Sequence, residues 1–365
     1  LPDRAAGALR HYHTLKQMLN LGYKVTYVHL MGKQYTDEAA IKYLSDFKMK
    51  GVEFIWFNYE YWYNIRYNEQ GKEYIKTLVD SLELKYRAFD FVYIAFWYIA
   101  EYFVDLIKAQ IPSVPILIDT MDIHYLREER EAEISKDNSL KIKAKENKKR
   151  ELAVYSKADV ITTVTEADRE ELQRYIKNKP IFILTDVHDT RVNTPSFEER
   201  KDLIFVGNFN HKPNEDAVLF FTKEIFPSIK SKLPEIKFYI VGNNPTEKVK
   251  ALRSNDIIIT GWVPDVKTYI DKCRIEVVPL RYGAGNKGKV GEALSSGIPV
   301  VTTSIGAEGM GIENSIHAFI CNEPKDFAEK VIELYQNQEL WQQFSDKGKR
   351  LIASQYSSEL MRKRL

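Results

Sequence analysis

At 365 residues the chain is long enough for two cores, and its 53 Lys and Arg against 51 Asp and Glu leave a net charge of +2. So balanced a charge gives no push toward nucleic acid, and no nucleic-acid partner is expected. The two cysteines, Cys273 and Cys321, lie in or beside apolar strands, which points to buried thiols, leaves no cysteine metal cluster and fits a reducing, cytoplasmic setting.

The longest apolar run, 91–100, is too short to span a bilayer, and no signal-peptide pattern is legible. Residues 3–7 read as a loop and 8–19 as a helix with Leu9, Leu15, Met18 and Leu19 on its apolar side. In an α/β fold a loop entering such a helix leaves a strand. None precedes it here, so the natural protein is expected to extend further N-terminally. Strands follow at 25–30 and 52–57. The segment 56–67, WFNYEYWYNIRY, reads as a mixed loop over the core edge or as an aromatic platform for apolar faces of sugars or lipids.

A helix over 74–86, a strand over 89–96, a helix over 99–109 and a strand over 115–119 come next. Asp119, Asp122 and His124 therefore sit just past the carboxyl end of a parallel strand, where open α/β sheets hold ligands. Asp119 reads equally as a cap for the segment after it. Residues 126–156 are polar and helical, interrupted near 137–139. Their stretch KIKAKENKKR, bounded by Lys141 and Arg150, is a solvated face or a patch for an anionic lipid surface or acidic acceptor. A strand at 159–165, a helix at 166–176 and a strand at 180–187 complete a first parallel sheet.

After a charged linker the alternation restarts: strand 203–206, a helix from 213 to about 233 that Pro227 should kink, strand 237–241, helix 246–253, strand 257–260 and helix 266–273. Gly207, Gly242 and Gly261 fall at strand ends, where backbone can approach a ligand. Amphipathic helices over 323–335 and 339–356 close the chain. The fold class is α/β: two Rossmann-like, doubly wound parallel-sheet domains facing a cleft.

The strongest local signal is 274–311, RIEVVPLRYGAGNKGKVGEALSSGIPVVTTSIGAEGMG. A strand at 275–280 leads into a turn carrying Gly283, Gly285 and Gly288. A helix over 287–296 follows, then a strand at 299–303. Glycines admit a ligand close to the backbone, a helix N-terminus offers unpaired N–H groups, and Lys287 and Lys289 add charge. The arrangement suits an anion, most simply a diphosphate.

The successive segments LIFVGNFNHKPNEDAV, ITGWVPDV, VVPLRYGAGNKGKVGEAL and GIPVVTTSIGAEGMG resemble the motifs of retaining glycosyltransferases of family four, with the GT-B fold. DTMDIHYLREERE and the opening DRAAGALR are similar to a subgroup of those enzymes, so the resemblance runs along nearly the whole chain. It implies an acceptor-binding domain over 1–190, a linker at 191–201, a donor-binding domain over 202–350 and a C-terminal helix, 351–365, returning to the first domain.

It further implies that Glu292 binds the donor ribose, a task suited to a carboxylate accepting two hydroxyls. The residue-level alternative is an ion pair with Lys289 on the same helix. The turn Ala284, Gly285, Asn286, Lys287, Gly288 and Lys289 would hold the diphosphate. Gly207 and Asn208 would lie against the donor, and Trp262 and Val263 against its base. Gly7 would meet the phosphate or sugar, and His124 the transferred sugar. The sequence departs from the family twice. Ala284 stands where many members carry a glutamate used on the sugar, and Asn208 stands where many begin an Arg and Lys pair. Glu308 and Asp122 are further candidates for sugar contact.

The expected reaction moves a sugar from a nucleoside diphosphate sugar to an acceptor hydroxyl with retention. Lys287, Lys289 and the helix N-terminus would stabilise the departing diphosphate. A UDP-sugar is favoured over a GDP-sugar. No metal or other cofactor is expected. The acceptor is a glycan, a lipid-linked saccharide or a glycoprotein, and the enzyme is cytoplasmic or membrane-associated through 141–150. One rival is an NAD(P)-dependent oxidoreductase, because Gly283, Gly285 and Gly288 spell G-x-G-x-x-G between strand and helix, with Glu308 downstream. Others are a non-catalytic nucleotide-sugar-binding module and a GT-B epimerase.

Overall fold

The computed structural model describes residues 6–31, 45–66 and 68–365. The strand pairs among them are all parallel.

The N-terminal half holds β1 (Thr26–Met31), β2 (Glu53–Asn58), β3 (Val92–Ala95), β4 (Ile116–Asp119), β5 (Val160–Thr163) and β6 (Ile181–Ile183). Among the described residues these form two sheets, β1-β2 and β3-β4-β5-β6, rather than the single sheet expected. The facing edges of β1 and β3 have no described strand partner. A cavity lined by every residue from 23 to 28 and from 87 to 96 runs between them. Side chains alternate along a strand, so an unbroken lining means that edges, not faces, border the gap. Helix Ala6–Asn20 bridges it, with the His11 ring 5.5 Å from Tyr27 and 5.8 Å from Tyr93. Arg10 fixes this helix from below. It is buried, pairs with Asp119 and donates to the Leu184 carbonyl at 2.7 Å. Asp119 pairs with Arg10 and Tyr93 and also accepts the Met121 N–H at 3.4 Å, so it braces the turn after β4 without reaching the helix that starts at His124.

The aromatic segment is not a loop. It continues β2 into helix Tyr59–Ile65, whose start is capped by Asn58 accepting from the Tyr61 N–H. Trp62 is buried edge-on against Tyr102, while Tyr61 and Tyr63 are exposed. The Trp56, Phe57 and Tyr59 side chains and Tyr67 lie outside the described residues, as do residues 3–5 of the expected loop at 3–7, whose last two residues instead open the first helix. The polar helix breaks where expected, into His124–Ser135 and Asn138–Lys157, because Lys136 is left-handed (φ 56°) and the Asp137 side chain caps Ser139.

The C-terminal half holds β7 (Lys201–Val206), β8 (Phe238–Val241), β9 (Ile257–Gly261), β10 (Cys273–Val278), β11 (Val300–Thr302) and β12 (Phe319–Ile320). Their order, β12-β11-β10-β7-β8-β9, reverses between β7 and β10. A crevice opens beyond the carboxyl ends of the strands at such a reversal. The helix carrying Pro227 is interrupted by a π-helical turn, Phe221–Ile225, and Pro227 opens the segment Phe226–Lys232. Phe205, Phe238, Ile240, Ile275 and Val277 build the core between sheet and helices.

Helix Gln338–Gln355 runs past 351 and stops at Tyr356; Ser357 then caps a separate helix, Ser358–Arg364. That last helix buries Met361 against Leu184 and Val187 of the N-terminal half, and the His188 N–H donates to the Tyr356 carbonyl at 2.8 Å.

Candidate functional site

A cleft of about 1760 Å³ opens at the β7/β10 reversal and faces the carboxyl ends of β3 and β4. That volume runs on into the gap between β1 and β3, so only part of it lies at the reversal.

On the C-terminal side, β10 ends at Val278 and the chain turns through 280–287 into helix Gly288–Ser295. Gly285 is left-handed (φ 65°), and a Cβ there would stand 2.9 Å from Asp122 Cβ. It is therefore a packing contact between the two halves rather than a lining residue of the cleft. Ala284, Asn286, Lys287, Gly288 and Lys289 do line it. Neither polar atom of the Asn286 amide has a partner within the protein. The Lys287 ammonium is buried, folds back to the Gly285 carbonyl, and lies 4.0 Å from Glu308. Burial lowers its pKa. Lys289 donates to Asn214 Oδ1 at 2.8 Å and stands 4.9 Å over the Phe205 ring, so it makes no ion pair with Glu292. Glu292 lines the cleft one helical turn further in.

Gly207, Asn208, Trp262 and Val263 line the same wall. At Gly242 (φ 144°) a Cβ would meet the Gly207 carbonyl at 1.9 Å, so only glycine lets the ends of β7 and β8 close up here.

The N-terminal wall carries Gly7, Asp122 and His124. His124 opens its helix, with Nε2 2.9 Å from Asp122 Oδ1 and the ring among Phe96, Trp97 and Tyr98. Burial would raise the Asp122 carboxyl, but His124 and Arg127 outweigh it and hold it well below the usual range. Phe96 (φ 70°) and Met121 (φ 61°), at the ends of β3 and β4, are both left-handed. Such strain gathers where a site over-determines the backbone.

Several site residues were not singled out from the sequence. Glu151, on helix Asn138–Lys157, accepts the His124 and Tyr125 N–H groups at 3.0 and 2.9 Å and so holds the start of the His124 helix. Its position, more than twenty residues downstream, carries no local signal. Arg130 donates to both oxygens of Glu308 and to the Gly283 carbonyl. Glu308 is thus occupied by Arg130 and does not line the cleft. His211 lines the cleft with its side chain exposed, and crowding by the surrounding protein together with the charges of Arg127 and Lys289 lowers its pKa. Among the described residues, no group of three or more His, Cys, Asp or Glu could hold a metal ion, and no helix is long and apolar enough to cross a membrane.

Of the cations in 141–150, Lys148 pairs with Glu129 and Arg150 with Glu101, while Lys141, Lys143, Lys145 and Lys149 are exposed.

The chain is similar to an uncharacterized 44.6 kDa protein in the cps region of Klebsiella pneumoniae, 28% identical over 37% of this chain and 37% of that one. It is also similar to an uncharacterized glycosyltransferase of Methanocaldococcus jannaschii, 27% identical over 53% of this chain and 54% of that one. The alignments thus span about half or less of these curated relatives. Among solved structures, Anabaena Alr3699/HepE in complex with UDP and glucose superposes with a TM-score of 0.66 at 10% identity, over 96% of this chain and 94% of that one. The chain therefore has the GT-B fold, and its residues 200–337 match the family Glycosyl transferases group 1.

Proposed function

We propose that the chain is a retaining glycosyltransferase of the family-four type that moves a sugar from a nucleoside diphosphate sugar to an acceptor hydroxyl. The observation that carries this reading is the constellation of Asn286, Lys287, Lys289 and the N-terminus of helix Gly288–Ser295 at the strand-order reversal, open to a cleft whose opposite wall is His124 and Asp122. The diphosphate would lie on the N–H groups and ammoniums, which stabilise charge as the glycosidic bond breaks. The unpartnered Asn286 amide would donate to it. Glu292, further along the helix, would accept from the ribose hydroxyls. His124, held by Asp122 and by the Glu151 cap, would touch the sugar. UDP is the favoured nucleotide, since the Anabaena protein of the same fold is solved with UDP. The acceptor would be a glycan, a lipid-linked saccharide or a glycoprotein. Exposed Lys141, Lys143 and Lys145 would carry any contact with an anionic surface.

The oxidoreductase reading is disfavoured by topology. A dinucleotide fingerprint belongs to the first strand-helix turn of such a sheet, whereas GAGNKG follows β10, the fourth strand of its sheet. Glu308, its downstream acid, is held by Arg130.

Calorimetry with UDP, GDP, ADP and NAD tests the proposal. The expected result is binding of one nucleoside diphosphate, UDP first, abolished by Glu292→Ala. Binding of NAD alone would overturn it.

A further inference from the structure

The segment that leaves β6 for the C-terminal half is pressed onto the helix of the proposed donor site, and His188 is its point of contact. His188 is 6% exposed, and neither ring nitrogen has a partner within the protein. Its N–H donates to the Tyr356 carbonyl at 2.8 Å, which fixes the backbone from which the ring projects. The ring lies edge-on against Gly291 of helix Gly288–Ser295. A Cβ at Gly291 would stand 2.3 Å from His188 Cδ2, 2.4 Å from Nε2 and 2.8 Å from Cε1, so the ring fits only where the helix carries no side chain. Glycine weakens a helix interior, and this close approach is what its place here answers to. Three residues on, the Arg191 N–H donates to the Ser295 carbonyl at 3.0 Å, so the same segment is also tied to the end of that helix.

Helix geometry says what the contact does. Successive residues turn by about 100°, so Lys289, two positions before Gly291, projects from roughly the opposite side of the helix. There it bonds Asn214 at 2.8 Å. Glu292 follows Gly291 directly, and both Glu292 and His188 line the cleft. The imidazole therefore backs the helix behind Lys289 and beside Glu292.

The charged and titratable groups around the ring are Glu292 on that helix, Asp189 next in the chain and His13 on the first helix. The Tyr356 ring stands 6.3 Å away, with its hydroxyl donated to the Gly309 carbonyl. Asp189 Oδ1 accepts the Ser358 N–H at 3.0 Å. Burial lowers the His188 pKa, against the opposite pull of Glu292 and Asp189. An imidazolium carries two N–H groups that need acceptors, and the seat on Gly291 supplies none.

We propose that His188 is a positioning residue for nucleotide binding: its ring, seated on Gly291, holds the helix that carries Lys289 and Glu292 against the segment joining the two halves. The proposal rests on the donor-site reading above. Protonation breaks the seat. The helix is therefore held at neutral pH and released as pH falls below about 6.5, the ordinary value that a freed ring regains. A nucleotide that requires the seated helix binds less tightly in acid and expels the proton when it binds.

The test is calorimetric titration with UDP of wild type, His188→Phe, His188→Ala, Gly291→Ala and the double variant His188→Ala/Gly291→Ala, with thermal unfolding to verify that each folds. UDP itself gains a proton on its terminal phosphate as pH falls from about 7.5 to 5.5. The pH effect is therefore read as the difference between wild type and His188→Phe, whose ring fills the seat but takes no charge. Across that interval wild-type affinity should fall about threefold to tenfold more than that of His188→Phe. At pH 7.5 each alanine variant should bind UDP less tightly. The loss in the double variant should be smaller than the product of the two single losses, because ring and methyl contest one space. Either arm decides alone should a variant of the other not fold. Equal pH effects in wild type and His188→Phe, or single losses that simply multiply, would overturn this proposal while leaving the donor site standing. No binding of UDP by wild type at either pH would overturn the donor-site reading, and this proposal with it.

Discussion

Arg130 Nη1 and Nη2 lie 2.7 Å from Glu308 Oε2 and Oε1, so a helix of the N-terminal half grips the loop after β11 with both prongs of one guanidinium. Both side chains are about three-quarters covered (23% and 25% exposed), and the geometry is bidentate, the arrangement in which an ion pair has most effect. A double-mutant cycle of Arg130→Ala and Glu308→Ala, read by chemical denaturation, should give a coupling of about 1 kcal/mol. A coupling of zero would mean that solvent screens the contact and that it does not hold the halves together.

Glu151 makes stability depend on pH. Burial pushes its carboxyl up to about 7, against the pull of His124 and of the Tyr125 N–H and Tyr155 hydroxyl that it accepts from. A carboxyl that holds its proton more tightly when folded favours folding at low pH. That contribution fades as pH rises from the unfolded value through about 7. Glu151→Gln should flatten the fall in unfolding free energy between about pH 4.5 and 7, a change of up to about 3 kcal/mol in the difference from wild type. Urea melts across that range check it; parallel curves for both proteins would refute it.

Lys289→Ala should lower turnover by about a hundredfold to a thousandfold, the scale for losing one well-placed electrostatic donor. Folding should survive, because Lys289 lies on the cleft wall and its bond there is to the Asn214 side chain. Transfer assays with a radiolabelled UDP-sugar, alongside thermal unfolding, separate the two effects. Undiminished turnover would remove Lys289 from the proposed phosphate site.

Gly285→Ala tests the packing between the halves. The new methyl group would stand 2.9 Å from Asp122 Cβ on a residue with φ 65°. Strain of this kind costs about 1–3 kcal/mol, and relief requires the turn and the Asp122 loop to part. Donor affinity should fall although the residue does not line the cleft. An unchanged Kd and unchanged unfolding midpoint would show that the two loops are not held in contact in solution.

Much of the C-terminal half was legible because its strands are short apolar runs punctuated by glycine, and GAGNKGK announces its own geometry. His124 and Asp122 could be placed at a cleft because strand ends fix where ligands go. What the sequence hid was long-range. Asp119 looks like a cap until Arg10, from the first helix, claims it. Glu308 looks free for a sugar until Arg130, far back along the chain, takes both its oxygens. Charge pairing across distant segments leaves no periodicity, so pattern reading could not find these partners.

The division of the N-terminal strands has a dynamic consequence. Six strands share one hydrogen-bonded ladder in the C-terminal half, and opening any central one breaks bonds on both sides. By contrast β1 and β2 have only each other among the described residues, and an isolated two-stranded ribbon is marginal in water. They are held chiefly by side chains of the helices around them. Amide protons of residues 26–31 should therefore exchange through small local openings, while those of 203–206 and 275–278 wait for global unfolding. The N-terminal wall of the cleft is the softer one, and the C-terminal wall is the anvil.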